Sequence, residues 1–185
     1  MEPGVSRATP HPGVDLRGAG VSRATPHPGV TSMVPESTYN LDPGKPFTWP
    51  PAARINADKA SFYRCGFVSV QGTLTDSEDR HYFENCYIEG ALDFIWDNGR
   101  SIYHECKINV TAISEGVPGY ITAQARDSTA DNSGFMFKHG LIFGTGSAYL
   151  GRAYRPYAKV LFHRTKMSDV IVAQGWSAWD YVGRE

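Results

Sequence analysis

Several things are missing from this 185-residue chain. No run of about 18 apolar residues occurs, so no membrane span is expected. The N-terminus lacks the apolar stretch of a signal peptide. Neither sign of charge is in excess: nineteen acids against eighteen bases leave a formal charge of −1, which argues against a nucleic-acid or polyanion-binding surface. Only three cysteines are present, an odd number that cannot all pair internally, and no C-x₂₋₄-C spacing suggests zinc. No G-x-S-x-G elbow exists, which removes the common serine-hydrolase reading. Helical periodicity is poor throughout.

What is present divides in two. "GVSRATPHPGV" occurs at 4–14 and again at 20–30, in a segment of Pro, Gly and small polar residues. Such a segment buries too little apolar surface to offset the entropy of ordering, so residues 1–45 read as a disordered, low-complexity tail. Residues 46–185 read as the folded domain. Hydrophobic content of 41% and aromatic content of 12% supply a sizeable core. Short aromatic and β-branched runs alternate with Gly, Asn, Asp and Ser clusters, the pattern of strands and turns.

The strands repeat. "FYRCGF" (62–67), "FENCYI" (83–88), "YHECKI" (103–108), "FKHGLI" (137–142) and "FHRTKM" (162–167) share one frame. Its first position is aromatic, its fourth small (Cys65, Cys86, Cys106, Gly140, Thr165) and its sixth large and apolar. The steps are 21, 20, 34 and 25 residues. Such a period, with short strands and tight turns, predicts an all-β fold, a parallel β-helix with one repeat per coil and like residues stacked about 4.8 Å apart. Leucine-rich repeats share the period but need a Leu-x-x-Leu-x-Leu frame absent here. The long step predicts a loop inserted at 109–134. The cysteines then form a column of small inward residues. His81, His104, His139 and His163 read as surface or cleft-edge side chains.

Asp93, inside "ALDFIW", does not fit the apolar frame. Strand alternation would turn Leu92 and Phe94 inward and Asp93 onto the outer surface. Alone it is an exposed strand aspartate; with a partner on a neighbouring coil it becomes a candidate catalytic group.

The stretches "ADKASFYRCGFVSVQGTLTDSEDRHYFENCYIEGALDFIWDNGRSIYHECKI", "ITAQARDSTADNSGFMFKHGLIFGTGSAYLGRAYRPYAKVLFHRTKMSD" and "QGWSAWD" resemble the plant pectin methylesterase (pectinesterase) family over roughly residues 52–181. The resemblance implies a right-handed, single-stranded parallel β-helix of the pectin lyase-like kind, here without its N-terminal coils. It implies hydrolysis of the methyl esters of homogalacturonan in the plant cell wall, with neither metal nor organic cofactor. It also implies a proteinaceous pectinesterase inhibitor as a protein partner, and no nucleic-acid or membrane partner. The family's nucleophile, in G-x-x-D-F-I, falls on Asp93, which would form an acyl-enzyme anhydride. Its arginine in "LGR" falls on Arg152, which would orient that carboxylate and keep it ionised. Its oxyanion glutamine falls on Gln71. Tyr154 stands where a sugar-stacking Trp is usual, and Phe94 would adjoin the substrate. Trp176 and Trp179 would either line the cleft or cover the last coil.

The chain also departs from the family. The general acid–base aspartate, in Q-D-T, is Gly72 in "QGT". Assistance of that kind is commonly worth about 10² to 10⁴ in rate. A second oxyanion glutamine falls near Trp49, Asp97 stands where Gly is preferred, and Ala125 stands where Gly is usual. Asp97, about 13 Å along the strand from Asp93, and Asp76, in an expected turn, are poor substitutes for the lost acid. "PFTWPPAA" (46–53) would cover the first coil in part. The readings are therefore an impaired hydrolase, a pectin-binding or protein-interaction relative without turnover, or a fragment without a stable fold.

Overall fold

The computed structural model describes residues 51–183 and a two-residue strand at Val14–Asp15. Apart from that strand, the duplicated segment and the rest of 1–50 lie outside the described residues, as does the expected disorder of the tail.

The chain visits three walls in fixed rotation. Wall one holds β1 (Val14–Asp15), β2 (Ala53–Ile55), β5 (Leu74–Asp76), β8 (Leu92–Asp97), β11 (Gly119–Gln124), β14 (Ala148–Arg152) and β17 (Trp176–Ser177). Wall two holds β3 (Ala60–Tyr63), β6 (Arg80–Glu84), β9 (Arg100–His104), β12 (Gly134–Lys138) and β15 (Val160–His163). Wall three holds β4 (Gly66–Val68), β7 (Tyr87–Gly90), β10 (Lys107–Val110), β13 (Leu141–Gly144) and β16 (Lys166–Met167). Every pairing from β2 to β17 is parallel; only β1 runs antiparallel, setting Val14 opposite Ile55 and Asp15 opposite Arg54. This is a parallel β-helix, as the repeat and the resemblance had implied.

The frame read from the sequence is the structural register. Phe62, Phe83, Tyr103, Phe137 and Phe162 pair in succession along wall two. Their rings stack with centroids 5.1, 4.6, 4.6 and 4.6 Å apart. Each such pair is worth about 0.5–1.5 kcal/mol beyond the area that it buries. Phe67, Ile88, Ile108, Ile142 and Met167 pair likewise on wall three.

Between walls two and three every coil turns on one left-handed residue: Arg64, Asn85, Glu105, His139 and Arg164, with φ from 50° to 58°. Only Asn takes that conformation readily; the others cost about 1–2 kcal/mol each, which the stacked coils must offset. The next residue is the small one. The thiols of Cys86 and Cys106 each lie 3.4 to 3.6 Å from two backbone carbonyls, one in their own turn and one in the preceding coil. The hydroxyl of Thr165 makes the same two contacts at 3.5 Å. At Cys86, Cys106 and Thr165 the column thus supplies short donors that close the turn; Gly140 has no side chain to donate. All three cysteines are free and buried.

Three expectations need correction. The 109–134 insertion is not one loop: β11 passes through it and completes wall one, leaving extra residues on both sides. Asp76 is not in a turn but in β5, wholly buried, where it accepts hydrogen bonds from the Tyr103 hydroxyl at 2.5 Å and from His81 Nδ1. His81 is therefore not a surface histidine. It is 4% exposed, and its Nε2 faces the carbonyl of Ala57 at 3.1 Å. A buried carboxylate needs such donors, and inward-facing Tyr103 and His81 provide them. Burial, with Asp76 beside it, pushes the Tyr103 phenol well above its ordinary pKa.

Candidate active site

The outer surface of wall one carries a cleft of about 530 Å³ lined by Pro51, Arg54, Gln71, Gly72, Thr75, Asp93, Trp96, Ala123 and Tyr154. Asp93 reaches it through a break in strand geometry. Leu92 pairs with Tyr120 and Ile95 with Thr122, so Asp93 and Phe94 together face the single residue Ile121. Asp93 itself has φ 46°. This is a bulge, which re-aims a side chain and interrupts alternation. Phe94 and Ile95 consequently both enter the core, each with 0% exposure. Phe94 is a core residue and not a substrate contact, and Leu92 is half-buried where full inward packing was expected.

The neighbouring coil shares the distortion. Gln71 bridges Leu92 and Leu74 pairs with Ile95, which leaves Gly72 in register beside Asp93. Gly72 has φ +57°, and a Cβ added there would lie 3.2 Å from Trp96 Nε1. The indole donates to Thr75 Oγ1 at 3.1 Å, holding its ring over that space.

Arg152 lies 59 residues from Asp93 in sequence and beside it in space. Its Nε donates to Asp93 Oδ1 at 2.8 Å and its Nη2 donates to Oδ2. The pair is bidentate, with side chains 17% and 14% exposed. Two guanidinium donors on two carboxylate oxygens fix the plane of the acid. Gly151 makes this placement possible: a Cβ there would meet Thr122 Oγ1 at 2.1 Å, so only Gly lets β14 approach β11 this closely. The guanidinium is held between rings, with its carbon 3.7 Å from the centroid of Trp179 and 4.4 Å from that of Tyr120. Tyr154, 38% exposed, meets Trp96 edge-on at 5.8 Å and Trp179 at 5.8 Å.

Asp93, Gln71 and Tyr154 therefore line one cleft, and Arg152 joins it through Asp93. Trp176 does not line it. It sits on the last coil against Phe162, 6.0 Å between centroids, and lines a neighbouring hollow with Arg152, Val160 and Tyr181. Asp97 accepts a hydrogen bond from Ser77 at 2.6 Å and does not line the cleft. Trp96, Thr75 and Arg54 were missed by sequence reasoning. Trp96 lies three residues from Asp93, so alternation turns it to the opposite face and only the bulge brings it to the cleft. Arg54 gives no local signal. Among the described residues no cluster of His, Cys, Asp and Glu could hold a metal ion, and no helix is long and apolar enough to cross a membrane.

Comparison with known proteins places the chain in a family. The Pectinesterase family model matches residues 48–183. Probable pectinesterase 29 of Arabidopsis thaliana is 48% identical over 136 residues, covering 72% of this chain and 41% of that protein. Among solved structures, pectin methylesterase from carrot superposes with a TM-score of 0.66 at 29% identity, over 69% of this chain and 43% of that one. The deglycosylated pectin methylesterase from Aspergillus niger gives 0.65 at 31% identity, over the same shares. The chain spans about two fifths of the length of the relatives that it matches.

Proposed function

The chain belongs to the pectinesterase family, and from that membership we propose that its cleft takes the C6 methyl esters of homogalacturonan, with Asp93 as nucleophile. The observation that carries this reading is the bidentate Asp93–Arg152 pair on an aromatic-walled cleft. Asp93 adds to the ester carbonyl, and methoxide leaves to give an anhydride. Water then attacks, releases the free acid and regenerates the carboxylate. Each Asp93 oxygen keeps a lone pair beyond the one used by Arg152, so orientation and nucleophilicity are compatible. Gln71, exposed at the cleft edge beside Leu92, is the candidate donor to the tetrahedral oxyanion.

The proton that methoxide needs has no protein source at the expected place. Gly72 carries no acid, and the Trp96 indole N–H is committed to Thr75. Methanol must be protonated by solvent, and water must attack without a base. Turnover is accordingly expected about 10² to 10⁴ below that of an enzyme with the acid in place. Methanol release from methyl-esterified pectin tests the reading: the wild-type chain should release it slowly and Asp93→Asn not at all. Equal rates from the two chains would overturn it.

The same observations favour a second reading, a relative that holds pectin in this cleft without turning it over. Retention on pectin without methanol would select it. The wall as location and a proteinaceous inhibitor as partner follow from membership and belong to this proposal.

A further inference from the structure

The outer face of wall two carries another hollow, of about 610 Å³, on a different side of the coil stack from the cleft. Its lining includes the cations Lys59, Arg80, Arg100 and Lys159 and no acid, in a chain whose formal charge is −1. Parallel register sets the side chains of this face in rows that run along the coil axis. One row is apolar: Tyr82, Ile102, Met136 and Leu161 pair in succession, and Ile102 and Leu161 are 40% and 52% exposed. The row beside it is cationic: Arg80 pairs with Arg100 and Arg100 with Gly134. Gly134 has no side chain, and Lys159 fills its place in the row. The Lys159 Cβ and Cδ lie 3.4 Å from where a Gly134 Cβ would stand. Arg80 is neutralised by Asp58, its Nε donating to Oδ1 at 2.8 Å. Arg100 and Lys159 are exposed, and no ion pair or hydrogen bond engages either side chain among the described residues. Like charges set opposite each other across strands are destabilising, and a contiguous row of exposed apolar side chains marks a contact surface. One partner relieves both, if it brings apolar side chains and negative charge side by side.

We propose that this hollow docks an amphipathic helix of a protein partner. The helix lies along the coil axis, its apolar stripe on the row from Tyr82 to Leu161 and its acidic flank against Arg100 and Lys159. Spacing selects a helix over a strand. The rows advance by one strand separation per coil, about 4.8 Å. A helix returns its stripe to the same face every turn, about 5.4 Å. A strand returns to the same face every second residue, about 6.7 Å, and falls out of step sooner. The four apolar rungs span about 14 Å, which about ten helical residues cover. The surface is independent of the cleft and of its chemistry.

Fluorescence anisotropy with two synthetic helical peptides of about 16 residues tests this. Both carry leucines in one stripe; one has glutamates along the flank and the other lysines. The wild-type chain should bind the glutamate peptide at least about tenfold tighter than the lysine peptide, and added salt should narrow the difference. Arg100→Glu should weaken the glutamate peptide roughly tenfold and strengthen the lysine peptide. Leu161→Ser should weaken both peptides about fivefold, since both use the apolar row. Arg54→Glu, a charge reversal in the cleft, should leave both within about twofold, the range expected of a charge outside the contact. Coincident thermal melts check that the variants are folded. A folded wild-type chain that does not bind the glutamate peptide, or binds the two peptides equally, overturns the inference. So does a loss at Arg54→Glu that matches the loss at Arg100→Glu, which would put the peptide in the cleft. Each of these results leaves the proposed function standing, because that is read by methanol release.

Discussion

The turn between walls two and three and the outer surface of wall one are built from the same coils and obey opposite rules. At the turn, five coils repeat one solution: an aromatic ring, a left-handed residue, a small residue and an apolar side chain, all in register. On wall one the register slips at Asp93, the neighbouring Gly72 is also left-handed, and the row beside them runs Arg54, Thr75, Trp96 and Ala123. Repetition gives stability because each coil buries the face of the next. The site needs side chains that differ from coil to coil, so it forms where the repeat is broken.

The turn side of this comparison should be the more sensitive to truncation. Phe137→Ala removes a ring stacked on both faces, by Tyr103 and Phe162, and should cost about 3–5 kcal/mol in a denaturant melt. A loss under about 1 kcal/mol would mean that the stack is not what holds the coils. On the wall-one side, Arg152→Gln should keep the fold and lower methanol release by about 10² to 10³, as removal of a site electrostatic partner does. Unchanged release would separate the pair from any chemistry.

A smaller effect is expected where the two regions meet, at the buried Tyr103–Asp76–His81 cluster. Tyr103→Phe keeps the stacked ring and leaves one Asp76 oxygen without its donor, at a cost of about 1–3 kcal/mol. The pH dependence follows from the raised Tyr103 pKa. Its contribution is fully present below the unfolded phenol's value near pH 10 and is lost as pH rises beyond it. The gap between wild type and Tyr103→Phe should therefore be full at pH 8 and narrower at pH 11. A constant gap would mean that Tyr103 is not buried as described.

Sequence reading succeeded where the structure repeats. The frame positions, the coil steps and the free cysteine column follow from periodicity, because stacking forces like residues onto like. The meeting of Asp93 with Arg152 was not legible from periodicity, since they lie on different coils; the family resemblance supplied that pairing. Phe94 was misread as a substrate neighbour through the resemblance, although alternation already turned it inward; the bulge adds Ile95 to the core. Asp76 and His81 were misread because polar residues are assumed to lie outside, whereas Tyr103 lets an acid and an imidazole be buried together. Arg54 was invisible because an arginine on an outward strand position looks like solvated surface.

The central proposal is that this cleft is an ester-hydrolysis site impaired chiefly by the loss of its proton donor, at the position beside Asp93. Gly72→Asp restores a carboxylate there, but its Cβ would crowd the Trp96 indole, so Trp96→Phe is combined with it. Asp is among the residues that tolerate a left-handed backbone best. Methanol release by the double variant should exceed that of the wild-type chain by about 10²-fold or more. A folded double variant that releases methanol no faster than the wild type would contradict the account.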